Sequence, residues 1–145
     1  SSLPGFASPE EQPEYYQMLA NIGDFTRKES VELLVARNER TILGVVVFIG
    51  DMQDYRAAIN IADADAAAFR LLAVSTKARG LGLGKLLTNA CLDKARLQGK
   101  KQMIIHTTES MKVAWGMYEK IGFKRSEDLD FKQNGLSVFG FLLKL

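Results

Sequence analysis

Gly80, Gly82 and Gly84 stand at alternate positions in the stretch LAVSTKARGLGLGKLL, with Arg79 before them and Lys85 behind. Glycines at this density let backbone N–H groups turn inward around an anion, and a helix that starts at the same place leaves its first N–H groups free. Arg79 and Lys85 add positive charge there. Two nucleotide-binding patterns fail on particular residues. A P-loop needs G-x-x-x-x-G-K-[ST]; Gly84-Lys85 supplies the last glycine and the lysine, but Arg79 stands at the first glycine position and Leu86 at that of the hydroxyl. A dinucleotide fingerprint needs G-x-G-x-x-G; begun at Gly80 it meets Lys85, and begun at Gly82 it meets Leu87. Two readings remain: an anion-binding turn, or glycines that only shape a tight turn.

Other reactive side chains are few. His106 is the single histidine and Cys91 the single cysteine, so a metal site built on those ligands has too few of them. Cys91 falls on the same helical stripe as Leu87 and Ala90 and reads as small core filler. His106 lies near the end of an apolar strand, either facing a site or as a satisfied polar residue at the sheet margin. Trp115 and Met117 fit a core or a channel wall equally well.

The elements that must position these residues follow from period and punctuation. VELLVARN (31–38) and TILGVVVFIG (41–50) read as strands joined by a hairpin turn. Residues 51–67 carry four aspartates and many alanines; they read as a loop with one or two helical turns, too polar for the core. FRLLAV (69–74) is a third strand, whose apolar run predicts burial on both faces. From Gly82 to Gln98, Leu83, Leu86, Leu87, Ala90, Cys91 and Leu97 recur at helical spacing, with Gly99 as the stop. QMIIHT (102–107) is a strand, 110–121 a second helix stopped by Gly122, Phe123 opens an extended segment, and LSVFGFLLKL closes the chain as an antiparallel strand. A short helix is expected at 14–22, and the prolines at 4, 9 and 13 mark 1–13 as irregular. The order predicts an α+β fold: a mixed, mostly antiparallel sheet with one parallel strand–helix–strand unit over 69–107, all in a single domain over 14–145.

The chain has 145 residues, 47% hydrophobic and 25% charged, and a formal charge of +2 from 19 basic and 17 acidic residues. That size and mixture fit one globular domain, and the charge balance gives no nucleic-acid signal. No run reaches the roughly 18 apolar residues of a membrane span and no secretory leader pattern opens the chain, so a cytoplasmic location is expected.

RGLGLG resembles the acetyl-coenzyme A pyrophosphate motif [RQ]-x-x-G-x-[GA] of the GNAT N-acetyltransferases, with Arg79, Gly82 and Gly84 at its defined positions and LLAV (71–74) as the strand ending before it. AWGMYEKIGF (114–123) is similar to the family's A-x-x-[LM]-Y-x-x-x-G-F segment. The resemblance implies an acyl-CoA N-acyltransferase-like fold over 15–145 that lacks the family's usual first strand and helix. It implies acetyl-CoA as donor and no metal. It places the pyrophosphate on Arg79, Gly80, Leu81, Gly82, Leu83, Gly84 and Lys85, and the pantetheine arm along the backbone of Leu72, Ala73 and Val74 between splayed strands. Met111 stands where the family often has an asparagine beside coenzyme A, and Ala114 matches the alanine that follows.

The implied reaction is direct attack of a primary amine on the thioester. Tyr118 matches the family's general acid for the departing thiolate. The base is open between Glu109, Asp63, Asp65 and a positioned water. The acceptor is an amine of a small molecule or a peptide, used by a monomer or homodimer. An acyl-CoA-binding regulatory module without turnover is the alternative.

Overall fold

The computed structural model describes residues 28–55 and 65–145. The expected irregular start, the helix at 14–22, the expected lack of a first strand and helix, and Asp63 all lie outside the described residues.

Strand β1 (Val31–Arg37) pairs antiparallel with β2 (Ile42–Ile49). Their turn is held by Asn38, whose Oδ1 accepts the N–H groups of Arg40 at 3.1 Å and Thr41 at 2.8 Å. Next comes β3 (Ala66–Val74), then α1 (Leu83–Leu97), β4 (Gln102–Thr108), α2 (Lys112–Ile121) and a short β5 (Lys124–Arg125). β6 (Phe131–Gln133) and β7 (Leu136–Lys144) close the chain. Among the described residues one sheet forms in the order β1-β2-β3-β4-β7-β5, with β6 also on β7. Only β3 and β4 run parallel; every other pairing is antiparallel. The mixed sheet and its single strand–helix–strand unit are those the sequence predicts.

Strand alternation sorts the core into two faces. Val46, Phe48, Ala67, Phe69, Met103, Ile105 and Phe141 meet Leu87, Cys91 and Leu92 of α1 and Tyr118 of α2 on the helix face. Val47, Ile49, Ala66, Ala68 and Ile104 meet Met52 and Tyr55 on the opposite face.

Two expectations need correction. Residues 51–67 are not wholly outside the core: Met52 and Tyr55 are buried, and β3 starts at Ala66 rather than Phe69. Alanine has little strand preference of its own, but Ala66 and Ala68 are small enough to lie within the cluster that holds Tyr55 and Met52. β3 is also not buried throughout; burial is complete over 66–69, and 70–74 is half-buried. The cause is the path of β4.

Candidate functional site

β3 and β4 are joined only at Ala66↔Gln102, Ala67↔Met103 and Ala68↔Ile104. Beyond that point both strands continue, but apart. β3 stays on β2 as far as Val74↔Gly44, and β4 stays on β7 as far as Thr108↔Val138. The result is a fork in the sheet. The edge of β3 over 69–74 has no strand partner on the β4 side among the described residues. Buried backbone groups require partners, so an open internal edge of this kind invites an extended ligand to supply them. Leu72, Ala73 and Val74 lie on this edge.

A bulge sharpens the fork. Between Val45↔Ala73 and Val47↔Arg70, Leu71 and Leu72 together oppose Val46, and Leu71 has φ +58°. A left-handed leucine costs on the order of 1–3 kcal/mol and is held only where its surroundings over-determine it. Leu71 packs on the face of Tyr55 and Leu72 on the helix face, so the bulge flips the strand's alternation at the fork.

Past the fork's mouth the chain makes a 3-10 turn at Thr76–Ala78, where Ser75 Oγ accepts the N–H of Lys77. The glycine turn follows. Gly80 has φ +86° and Gly82 φ +75°, backbone that favours glycine, and a Cβ built on either meets no atom within 4 Å. The space beside the turn is open. Gly82 caps α1 without a side chain, and the helix's first internal bond is Leu86 N–H to Gly82 C=O at 3.0 Å. The N–H groups of Leu83, Gly84 and Lys85 thus find no acceptor among the described residues. With the exposed Arg79 and Lys85 beside them, they give the helix start the unpaired donors and positive charge that would suit an anion. Leu81 and Leu86, 70% and 57% exposed, flank it. A Cβ on Gly84 would come within 3.3 Å of Met117 Sδ, which sets the start of α1 against α2.

Tyr118 is 3% exposed, on the helix face among Phe69, Phe123 and Phe141 at ring distances of 6.0, 5.7 and 6.5 Å. Its hydroxyl bonds no described residue. Burial pushes the phenol up to about 12, with Cys91 adding to the rise, so it holds its proton at neutral pH. Cys91 is fully buried and likewise pushed up to about 12 by burial, in keeping with core filler. Trp115 packs edge-on against Phe139 and Phe141, and Met117 packs into the helix-face core.

The other sequence-predicted residues lie at different places. Met111 is the exposed residue before α2, and Ala114 is half-buried in its first turn. Glu109 follows the end of β4, exposed and ion-paired with Lys112 at 3.2 Å. Asp65 sits at the joined end of the two strands, where it faces Lys101 at 3.8 Å and its carbonyl accepts the Lys101 N–H, so the fork leads away from it. His106 is two residues beyond the last joined pair, on the face of Tyr55. Its Nε2 meets the Leu129 carbonyl at 2.8 Å and its Nδ1 the Tyr55 hydroxyl at 2.8 Å. Burial lowers its pKa, against the Leu129 carbonyl and Asp130, which favour the cation; Arg70 adds to the lowering.

Tyr55 itself escaped the sequence reading, because DMQDYR carries no period that separates a buried aromatic from a loop residue. Nor does any residue type announce the bulge at Leu71. Among the described residues no group of three or more His, Cys, Asp or Glu is arranged for a metal ion, and no helix is long and apolar enough to cross a membrane.

A forked mixed sheet with a glycine turn opening a helix beside it defines the acyl-CoA N-acyltransferase architecture. The Acetyltransferase (GNAT) family model matches residues 2–123, and the chain belongs to that family. It is 31% identical over 74 residues to the N-alpha-acetyltransferase 30 of Schizosaccharomyces pombe, a match spanning 50% of this chain and 49% of that protein. Its fold is similar to a GNAT-family acetyltransferase from Staphylococcus aureus Mu50, with a TM-score of 0.68 at 19% identity over 96% of this chain and 81% of that one. It is also similar to a GNAT acetyltransferase from Elizabethkingia anophelis with acetyl-CoA bound, with a TM-score of 0.64 at 20% identity over 87% and 82% of the two chains. The fold and family are consistent with acetyl-CoA-dependent acyl transfer.

Proposed function

We propose that the protein transfers the acetyl group of acetyl-CoA to a primary amine by direct attack on the thioester. The observation that carries this is the fork. The β3 edge left open by β4 leads, through the 3-10 turn at Thr76–Ala78 and the glycine turn, to a helix start whose first N–H groups find no acceptor among the described residues, which matches a long donor with an amide-bearing arm and a pyrophosphate. In this reading Leu72, Ala73 and Val74 pair with the pantetheine arm, and 79–85 hold the pyrophosphate. Met111 and Ala114 line the α2 side. Tyr118, protonated and buried at the fork's helix face, donates to the departing sulfur. Holding amine and thioester together supplies much of the acceleration, and backbone N–H groups of the open edge steady the oxyanion.

The similarity to an N-alpha-acetyltransferase favours a peptide α-amine as acceptor. The test is calorimetric titration with acetyl-CoA, followed by thiol release over a panel of amines. The panel holds tetrapeptides differing in their first residue, an internal-lysine peptide with a blocked α-amine, and spermidine. The reading predicts saturable binding and release fastest with a free α-amine. Binding with no release on any amine makes the protein an acyl-CoA-binding module, and no binding overturns both readings.

A further inference from the structure

On the face of the sheet opposite Tyr118, three side chains frame the fork. Ala68 and Ile104 are the last joined pair. Two residues further along β4 is His106, and two further along β3 is Arg70, whose guanidinium lies 6.0 Å from the Tyr55 ring. Tyr55 packs in the same cluster as Ala68 and Ile104 and reaches His106 with its hydroxyl, so it lies across the crotch of the fork.

The direction of these hydrogen bonds is fixed by chemistry. The Leu129 carbonyl can only accept, so His106 Nε2 carries the proton. In the neutral ring Nδ1 then has a lone pair, and the Tyr55 O–H donates to it. The Tyr55 hydroxyl has spent its only proton on His106, and only its lone pairs remain for another partner. A group at the crotch that meets this oxygen must be a donor, as an amine N–H is.

We infer that Tyr55 is a catalytic residue that takes the proton of the attacking amine, with His106 as the positioning residue behind it and the store for that proton. This rests on the acetyl-transfer reading. As the amine nitrogen bonds to the thioester carbon, its proton passes to Tyr55 Oη, and the Tyr55 proton passes to His106 Nδ1. The tyrosine never becomes a phenolate, which its burial strongly disfavours. The C–S bond breaks with its electron pair on sulfur, and the thiolate takes a proton from Tyr118, which recovers one from solvent. His106 returns its proton through Tyr55 to water. Among the described residues, the groups facing His106 are Tyr55 from the 51–55 segment, Arg70 from β3, Leu129 and Asp130 from the 126–130 excursion, and the Phe131 ring at 5.2 Å. The imidazolium is held by the Leu129 carbonyl and Asp130.

The experiment compares wild type, Tyr55→Phe and His106→Gln with the fastest amine of the panel above. A glutamine at 106 can still accept from Tyr55 and donate to Leu129, but it cannot store a proton. Expected is a loss of kcat of about 100-fold in each variant, within the usual range for a lost acid–base group. The acetyl-CoA dissociation constant is expected within about twofold of wild type, since neither residue lies on the pyrophosphate turn or the open edge. The wild-type kcat should fall on the acid side with an inflexion below about 6.5, the ordinary imidazole value, and both variants should lack that inflexion. Variants that turn over like wild type, or that slow down while keeping the inflexion, overturn the inference and leave the pair structural. Absence of thiol release from the wild type itself overturns the acetyl-transfer reading, and this inference with it.

Discussion

The role proposed for Tyr118 depends on a proton that must stay in place until sulfur needs it. A raised phenol pKa favours the neutral, protonated form. An ordinary tyrosine is half ionised near pH 10, whereas Tyr118, pushed up to about 12 by burial, stays protonated through that range. The proposed acid is therefore available throughout the range in which an amine becomes a free base, and kcat should show no loss from this group between pH 8 and 10. Tyr118→Phe should lower kcat by about 100-fold while the acetyl-CoA dissociation constant moves by less than about threefold. Thiol-release kinetics and calorimetry measure the two quantities separately. Equal kcat for the two proteins would remove Tyr118 from the chemistry. Thr107 Oγ1 and Trp115 Nε1, by contrast, are enclosed and have no hydrogen-bond partner among the described residues.

At the scale of elements, the fork and the segment that buttresses it are held by a few specific ties. Between β5 and β6 the chain leaves the edge of β7 over 126–130 and crosses the sheet at Gly140. A Cβ on Gly140 would collide with Leu129 Cβ, so only glycine admits the crossing. Arg125 grips Asp130 with two bonds of 2.8 and 2.7 Å, and Asp130 also accepts the Gly140 N–H at 2.7 Å. This clasp presents the Leu129 carbonyl to His106. Its pair with Arg125 holds the Asp130 carboxyl below the usual carboxylate range, helped by the Gly140 N–H. A depressed carboxyl stabilises the fold above its unfolded pKa of about 3.9, and that contribution is lost as pH falls through the folded value. Asp130→Asn should thus cost about 2 kcal/mol at pH 7, in keeping with lost bonds to a charged group, and much less at pH 2.5. Urea unfolding at both pH values checks it; an equal loss at both would mean the charge plays no part.

How much of this was legible is a matter of range. Local signals sufficed for the start and length of α1, where Gly82 caps the helix and Leu87 and Cys91 fall on the buried stripe as expected, but Leu86, Ala90 and Leu97 of the expected stripe are exposed, and Leu92 and Ala95 are buried in their place. They also gave the β1–β2 hairpin and the antiparallel β7. They could not give the fork, because nothing in FRLLAV marks Ala68 as the last residue bonded to β4. They missed the alanine start of β3, since Ala66 and Ala68 count as core only once Tyr55 and Met52 pack with them. His106 was legible as a polar residue near a strand end, but its partners sit 51 and 23 positions away in the chain.

For the whole molecule, the fork means that one sheet is built from two halves joined through a short seam, β1-β2-β3 on one side and β4-β7 with β5 and β6 on the other. A donor lying in the fork would bond the open edge and the start of α1 at once and add a second seam. Any ligand that binds only the folded state stabilises it, by about 2.7 kcal/mol at 100 times its dissociation constant. The local signature is more telling than the global one. Amide hydrogen exchange with and without saturating acetyl-CoA tests the central claim directly. Slowed exchange is expected, confined to the β3 edge over 69–74 and to the N–H groups of Leu83, Gly84 and Lys85, with the β1–β2 hairpin unchanged. Unaltered exchange at both places under conditions of saturable binding would contradict it.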